Sequence, residues 1–195
     1  MEHKHHGKSS AKFLNADEIL SKLNLTGTET FMDAGCGDGY ISKKAIEEYL
    51  PNGQVYAVDV YDGSIKDMDD YKNQNNVTNL INIQADISQK IPEISTRSVD
   101  VILMVNVFHG FKASGEMDEV IDNLKNILKN NGSIAIVDFK PIDMSFGPPV
   151  EIRTSHAELE VLFKKQGFKK VFLNVDIGES VVEGKSHFFI IFEME

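Results

Sequence analysis

The run Gly35-Cys36-Gly37-Asp38-Gly39 follows a short apolar stretch, Thr30-Phe31-Met32-Asp33-Ala34, and leads into a helical pattern that extends to Leu50. Three glycines in five residues continue neither a strand nor a helix, so the chain turns sharply between the two. A strand that passes through a glycine turn into a helix is the opening unit of a parallel α/β sheet. The alternation then recurs. Val55 to Val60, Leu80 to Ala85, Val99 to Val105 and Ser133 to Phe139 read as further strands. Ser64 to Lys72 reads as a helix, as does Met117 to Leu128 with Val120, Ile121, Leu124 and Leu128 on one face, and Asn130-Asn131-Gly132 reads as a stop. Two capping signatures, Asn15-Ala16-Asp17-Glu18 and Ser155-His156-Ala157-Glu158, place a helix over about residues 16–24 and another that closes at Gly167. Phe168 to Val175 and His187 to Phe192 have no helix between them and pair as an antiparallel hairpin. The fold class is therefore α/β, a Rossmann-like doubly wound sheet, with function expected at the ends of its first four strands, where strand order reverses. Met144 to Val150, with Gly147-Pro148-Pro149, is a stiff irregular connector, either a lid or a long loop.

A chain of 195 residues, 42% of them apolar, builds one core. Residues 15–195 form a single domain, and residues 1–14 a separate N-terminal segment, mobile or a lid. Twenty Lys plus Arg against thirty Asp plus Glu give a net charge of -10, the wrong sign for nucleic acid or an anionic membrane surface. Cys36 is the only cysteine, which excludes an internal disulfide and a multi-cysteine metal site and fits a reducing, cytoplasmic setting. No run approaches the roughly 18 apolar residues of a membrane span. His3, His5 and His6 read either as a metal site or lid, or as a solvated terminus; without a fixed carboxylate or thiolate beside them the second is favoured, and no metal is expected. The pattern sets no oligomeric state.

The glycine spacing selects the ligand class. A dinucleotide fingerprint places glycines first, third and sixth, whereas here they fall first, third and fifth with Tyr40 in the sixth place, and the Gly-Lys-Ser/Thr of a phosphate loop is missing. Asp33 and Asp38 would also repel a diphosphate: two unit charges about 4 Å apart interact by roughly 1 kcal/mol in water and about 4 near a protein surface. The same carboxylates suit a ligand carrying an ammonium and a sulfonium, and S-adenosylmethionine has both. Asp59 ends the second strand, 24 residues after Gly35, where a carboxylate accepts from both ribose hydroxyls. Gln84-Ala85-Asp86-Ile87 ends the third strand with another acceptor, in reach of an adenine amine when the ribose lies on Asp59.

Phe31-Met32-Asp33-Ala34-Gly35-Cys36-Gly37-Asp38-Gly39, Val58-Asp59, Ala85-Asp86 and Ser98-Val99-Asp100-Val101-Ile102 together resemble the class I S-adenosylmethionine-dependent methyltransferases, over about residues 15 to 192. The likeness is greatest to the small-molecule branch that includes quinone and arsenite methyltransferases. It implies a seven-stranded sheet in the order 3-2-1-4-5-7-6 with strand 7 antiparallel, in agreement with the terminal hairpin. By the same resemblance Asp33, Gly35, Gly37 and Gly39 line the methionine part, Asp59 with Val60 holds the ribose, and Asp86 with the Ile87 amide faces adenine. Asn106 and His109 lie where the fourth strand enters the crevice. Asn106 contacts the cofactor or satisfies loop amides. His109 takes a proton from a substrate heteroatom, or caps a helix and packs against Phe108 and Phe111. Asp100, at the start of its strand, is assigned no role, and the single thiolate of Cys36 disfavours arsenite as acceptor. Tyr40-Ile41-Ser42-Lys43-Lys44 has the Tyr/Lys spacing of short-chain dehydrogenases but follows the glycine loop directly, which rejects that role.

The expected function is methyl transfer from S-adenosylmethionine to a small-molecule acceptor. The alternatives are a non-catalytic S-adenosylmethionine-binding module or partner subunit and, with less support, a nicotinamide-dependent oxidoreductase. Asp59→Ala is expected to weaken S-adenosylmethionine binding by about 1 to 3 kcal/mol through lost charged hydrogen bonds, read by calorimetry; unchanged affinity removes Asp59 from the site.

Overall fold

Val99-Asp100-Val101-Ile102-Leu103-Met104-Val105 is apolar on both faces except at Asp100, the pattern of a strand covered on both sides. In the computed structural model, which describes residues 9–195, this run is β4 (Val99–Val105), the middle strand of a seven-stranded sheet. β1 (Thr30–Ala34), β2 (Gln54–Asp59) and β3 (Leu80–Gln84) extend the sheet in parallel on one side. On the other side lie β5 (Leu128–Phe139), then β7 (Gly184–Met194), then β6 (Phe168–Val181) at the edge. The order is 3-2-1-4-5-7-6, with β7 antiparallel to both neighbours, as the resemblance implies.

Alternate residues of each central strand feed two cores, one per face. Ile134 and Ile136 of β5 and Phe188, Ile190 and Phe192 of β7 point to one face, Ala135 and Val137 with Phe189 and Ile191 to the other. The first face is covered by α4 (Phe108–Ser114), α5 (Met117–Ile127) and α6 (His156–Lys165), through residues such as Phe108, Leu124 and Phe163. α1 (Ala16–Leu20), α2 (Tyr40–Lys44) and α3 (Asp62–Gln74) cover the second through Ile19, Ile41 and Met68, α2 running on into a π turn at Ala45–Tyr49. The chain leaves β1 outward to β2 and β3 and returns to β4 on the other side of β1. The crevice of the fold therefore opens between the exits of β1 and β4.

Several boundaries differ from the expected ones for local reasons. α1 stops at Leu20 rather than near residue 24, in a run of turns that includes Asn24 at φ 54°. Asn130-Asn131-Gly132 does not end an element; it is absorbed in β5, which starts at Leu128 and shifts its register against β4 between Val99 and Val101. α4 was missing from the sequence pattern because it has seven residues and Gly110 inside it, too few for a helical period to show. The Ser155 and Glu158 capping box is present in full, and Asn15 caps α1 by accepting from Asp17 N–H and Glu18 N–H. His3, His5 and His6 lie outside the described residues.

Asp100 works at the end of the sheet opposite the crevice. Its Oδ2 accepts from Thr30 N–H at 2.9 Å and pairs with Lys129 Nζ at 2.7 Å, tying the starts of β1, β4 and β5 together. Asp100→Ala is expected to lower unfolding free energy by about 1 to 3 kcal/mol in urea titrations, because Thr30 N–H loses its acceptor, and to leave ligand binding unchanged.

Candidate functional site

At the exit of β1 the chain enters the left-handed region three times in five residues, at Gly35 (φ 84°), Gly37 (φ 54°) and Gly39 (φ 76°). Space is limiting as well at Gly35, whereas at Gly39 the end of the flexible Met68 side chain is what a side chain would displace. A Cβ on Gly35 would lie 2.4 Å from Val107 Cγ2, and one on Gly39 1.9 Å from Met68 Sδ. The loop is pinned to β2: Val58 O accepts from Gly35 N–H at 2.7 Å and Cys36 N–H at 3.0 Å. Asp59 completes the clamp. Its Oδ2 accepts from Gly37 N–H at 2.8 Å and its Oδ1 from Tyr61 N–H at 2.9 Å, and each oxygen keeps a further lone pair.

Asp33 sits beneath this loop, 2% exposed, and accepts from Ser42 Oγ of α2 at 2.6 Å. Burial pushes its carboxyl up to about 7; the Ser42 bond opposes the rise, and the charges of Asp59 and Asp38 add to it. Cys36 is buried in the same field. Desolvation and the carboxylates of Asp33 and Asp59 push its thiol far up, so it is not a nucleophile. Asp38 caps the next turn by accepting from Tyr40 N–H at 3.2 Å.

Val60 and Asp86 are exposed at the exits of β2 and β3, and Ile87 is buried beside Asp86. Asp86 Oδ1 accepts from Ser88 N–H at 2.9 Å and Ser88 Oγ at 2.8 Å, while its Oδ2 accepts nothing from the described residues. Asn106 leaves β4 at φ 59° with its N–H on Val137 O at 2.8 Å, and its buried Oδ1 has no partner among the described residues. The structure thus brings Asp33, Gly35, Gly37, Gly39 and Asp59 into one connected unit, with Asp86, Ile87 and Asn106 on neighbouring strand exits.

His109 belongs to a second cluster that the sequence reading only half identified. Its Nδ1 lies 2.8 Å from Asp138 Oδ1 at the end of β5, and its backbone N–H donates to Asp138 Oδ2 at 3.0 Å. Asp138 thereby satisfies an orphan amide in the first turn of α4 and fixes the ring at the same time. Because a carboxylate only accepts, Nδ1 carries the hydrogen and Nε2 keeps a lone pair. Burial works to lower the imidazole pKa, and the Asp138 charge and hydrogen bond overcome it, so His109 is raised. Asp138 is desolvated too, yet His109 and the amides of Phe139 and His109 hold its carboxyl below the usual range.

Arg153, Ser42, Asp138 and His187 were not singled out in the sequence. Arg153 is 4% exposed and donates to four main-chain carbonyls of the stretch between β5 and α6, those of Pro148 and Phe146 in the connector and of Lys140 and Ile142 before it. Phe13 of the N-terminal segment stacks on Phe146 of the same connector, with centroids 5.0 Å apart and planes at 9°. Tyr40 joins that segment to the glycine loop, its hydroxyl accepting from Ala16 N–H and donating to Leu14 O. A cavity of about 470 Å³ lined by Lys112, Met117, Thr154 and Leu162 lies between α4 and α6 and contains none of the expected residues. Among the described residues no three His, Cys, Asp or Glu side chains converge to hold a metal ion, and no helix is long and apolar enough to cross a membrane.

Residues 25–170 match the family model described as a methyltransferase domain. No curated protein matches the sequence. Among solved structures, a SAM dependent methyltransferase from Aquifex aeolicus is similar at a TM-score of 0.80 and 23% identity, over 94% of this chain and 92% of that one. The geranyl diphosphate C-methyltransferase of Streptomyces coelicolor, solved with Mg²⁺, geranyl diphosphate and S-adenosyl-L-homocysteine, is similar at 0.73 and 13% identity, over 92% of this chain and 78% of that one. The [4+2]-cyclase SpnF is similar at 0.69 and 15% identity, over 82% and 57%. These likenesses establish the fold.

The buried carboxyl of Asp33 makes stability depend on pH. In the folded chain it keeps its proton to about pH 7, whereas an unfolded aspartate loses it near 4. Between those values the native state binds a proton that the unfolded chain does not, so stability falls as pH rises through 7. Asp33→Asn removes this slope. The variant is expected to exceed the parent by on the order of 1–3 kcal/mol at pH 8 and by little at pH 4, in urea titrations at both values.

Proposed function

The chain belongs to the methyltransferase domain family, and from that premise we propose that it transfers a methyl group from S-adenosylmethionine to a small molecule, with His109 as general base. The observation that carries this reading is the set of three carboxylates, Asp33, Asp38 and Asp59, around one glycine loop. Burial first, with Asp59 and Asp38 adding to it, resists the ionisation of Asp33, so the negative charge at the loop is that of Asp38 and Asp59. A cationic ligand offsets that charge and a diphosphate adds to it. The orphan Oδ1 of Asn106 fits the same ligand, since a donor from it would satisfy a buried acceptor that the fold leaves unpaired.

In this reading Gly35, Gly37 and Gly39 bring backbone close to the methionine part, above Asp33. Asp59 and Val60 take the ribose, and Asp86 Oδ2 with the Ile87 amide takes adenine. When bound, S-adenosylmethionine supplies an electrophilic methyl whose C–S bond breaks with the electron pair left on sulfur. His109 accepts the proton of the acceptor heteroatom at Nε2 while Nδ1–H stays on Asp138, which stabilises the imidazolium. The stacked Phe13 and Phe146 draw the N-terminal segment and the connector over the β4 and β5 exits, which limits the acceptor to a small molecule and excludes water.

His109→Ala is expected to lower kcat by about 10²- to 10⁴-fold while the calorimetric heat with S-adenosylmethionine persists. Activity in the parent falls as pH drops through the raised His109 pKa, where the base becomes protonated. Asp138→Asn removes the charge that raises it, so the acid limb moves to lower pH while kcat falls through loss of the fixed tautomer. An acid limb that stays in place removes Asp138 from this role. Absence of any heat with S-adenosylmethionine, with NADH binding instead, overturns the assignment.

A further inference from the structure

Beside the cluster of His109 and Asp138 lies a buried imidazole that the mechanism does not use. His187 of β7 is 0% exposed and pairs across the ladder with Phe139 of β5. Its ring lies 4.1 Å from that of Phe139 and 6.2 Å from that of Phe13. Its tautomer follows from its neighbours. Ser186 Oγ accepts from Glu179 N–H at 2.9 Å and lies 2.7 Å from His187 Nδ1. Among the described residues the hydroxyl hydrogen has no acceptor besides Nδ1, so we assign it there and the ring hydrogen to Nε2. That Nε2–H is buried and has no acceptor among the described residues. Burial holds the imidazole down at about 4 against the opposing charge of Asp138, with His109, Arg153 and Lys140 adding to the fall, so it stays neutral at physiological pH.

A buried donor left unpaired is costly, and such groups cluster where a ligand completes them. The surroundings state what that ligand is. Phe139 is 4% exposed and forms a floor with His187. Phe13 and Phe146 stack on each other above it, their rings 5.9 and 6.3 Å from that of Phe139. The upper pair comes from two segments outside the sheet, a short turn before α1 and the 140–155 connector, so it parts without breaking a ladder hydrogen bond. The Arg153 guanidinium lies 5.9 Å from the Phe139 centroid and donates to main-chain carbonyls, which fixes the connector beside the ring. Outside the roof, a mostly polar cavity of about 370 Å³ is lined by Phe13, Asn15, Glu18, Tyr40, Gly178 and Glu179. A Cβ on Gly178 would lie 2.5 Å from His187 Nδ1, so this wall of the cavity abuts the imidazole.

We propose that Phe13, Phe139, Phe146 and His187 form the acceptor subsite, and that it takes a planar aromatic or conjugated molecule whose carbonyl or phenolic oxygen accepts from His187 Nε2–H. Rings above and below hold the plane, and a site built to donate to one oxygen discriminates against analogues lacking it. This deepens the methyltransferase reading and rests on it.

The test measures binding of 2,4-dihydroxyacetophenone, with glycerol as the aliphatic control, by calorimetry in the presence of S-adenosylhomocysteine. Long-range ¹H–¹⁵N spectra of the imidazoles run alongside. The expected result is saturable binding of the aromatic probe alone and a shift of the His187 Nε2 resonance. Affinity is expected to fall about tenfold or more in His187→Phe and to be largely restored in His187→Gln, which keeps an N–H donor. Phe146→Ala, on the half-buried connector, supplies a second variant should His187→Phe fail to fold, and is expected to weaken the probe to a similar degree. Probe affinity unchanged in His187→Phe, or unchanged in Phe146→Ala where His187→Phe does not fold, or no probe binding while S-adenosylhomocysteine binds, overturns the subsite. Loss of S-adenosylhomocysteine binding with the probe still bound and sensitive to His187 overturns the methyltransferase reading and upholds the subsite.

Discussion

One carboxylate holds the site together. Asp59 receives Gly37 N–H on one oxygen and Tyr61 N–H on the other, so a side chain at the end of β2 fixes both the glycine loop after β1 and the turn into α3. The loop needs this external hold because its left-handed glycines gain nothing from regular hydrogen bonding and lose much conformational freedom on folding. Val58 O, accepting from two successive loop amides, supplies the second anchor. Removing either leaves donors at the floor of the crevice unsatisfied, and a ligand that competes for Asp59 must do so through the lone pairs that remain.

The two halves of the crevice differ in charge. Around the glycine loop burial, with the charges of Asp59 and Asp38 adding to it, raises the Asp33 carboxyl to about 7. Across the β4 exit one acid, Asp138, is surrounded by His109, Arg153 and the neutral His187, and its carboxyl is held low. The same residue type therefore takes opposite shifts about one sheet, according to whether its neighbours repel or attract its charge.

Much of this was legible in the sequence because it is local. The strand, the three glycines and the helix that follows are contiguous, and Asp59 and Asp86 betray themselves as acids that end apolar runs. Asp138 has the same signature, a lone acid after Ile134-Ala135-Ile136-Val137, but it ends the fifth strand, beyond the four whose ends are expected to carry function. Ser42 gave no signal, because only the curl of α2 over β1 brings it to Asp33. His187 and Arg153 were hidden for a different reason. The antiparallel pairing of β7 with β5 sets His187 opposite Phe139, and an irregular connector folds back onto Arg153, and neither relation has a period in the sequence. The stop expected at Asn130-Asn131-Gly132 failed because tertiary pairing with β4 outweighed local turn preference.

Arg153 tethers the connector through carbonyl oxygens, which every residue provides whatever its side chain. The path of residues 140–148 is thus encoded by one guanidinium rather than by their own identities. Side chains along it can diverge among descendants of this chain while the path persists, so the surface that residues 140–148 present can be retuned with the strand scaffold left untouched.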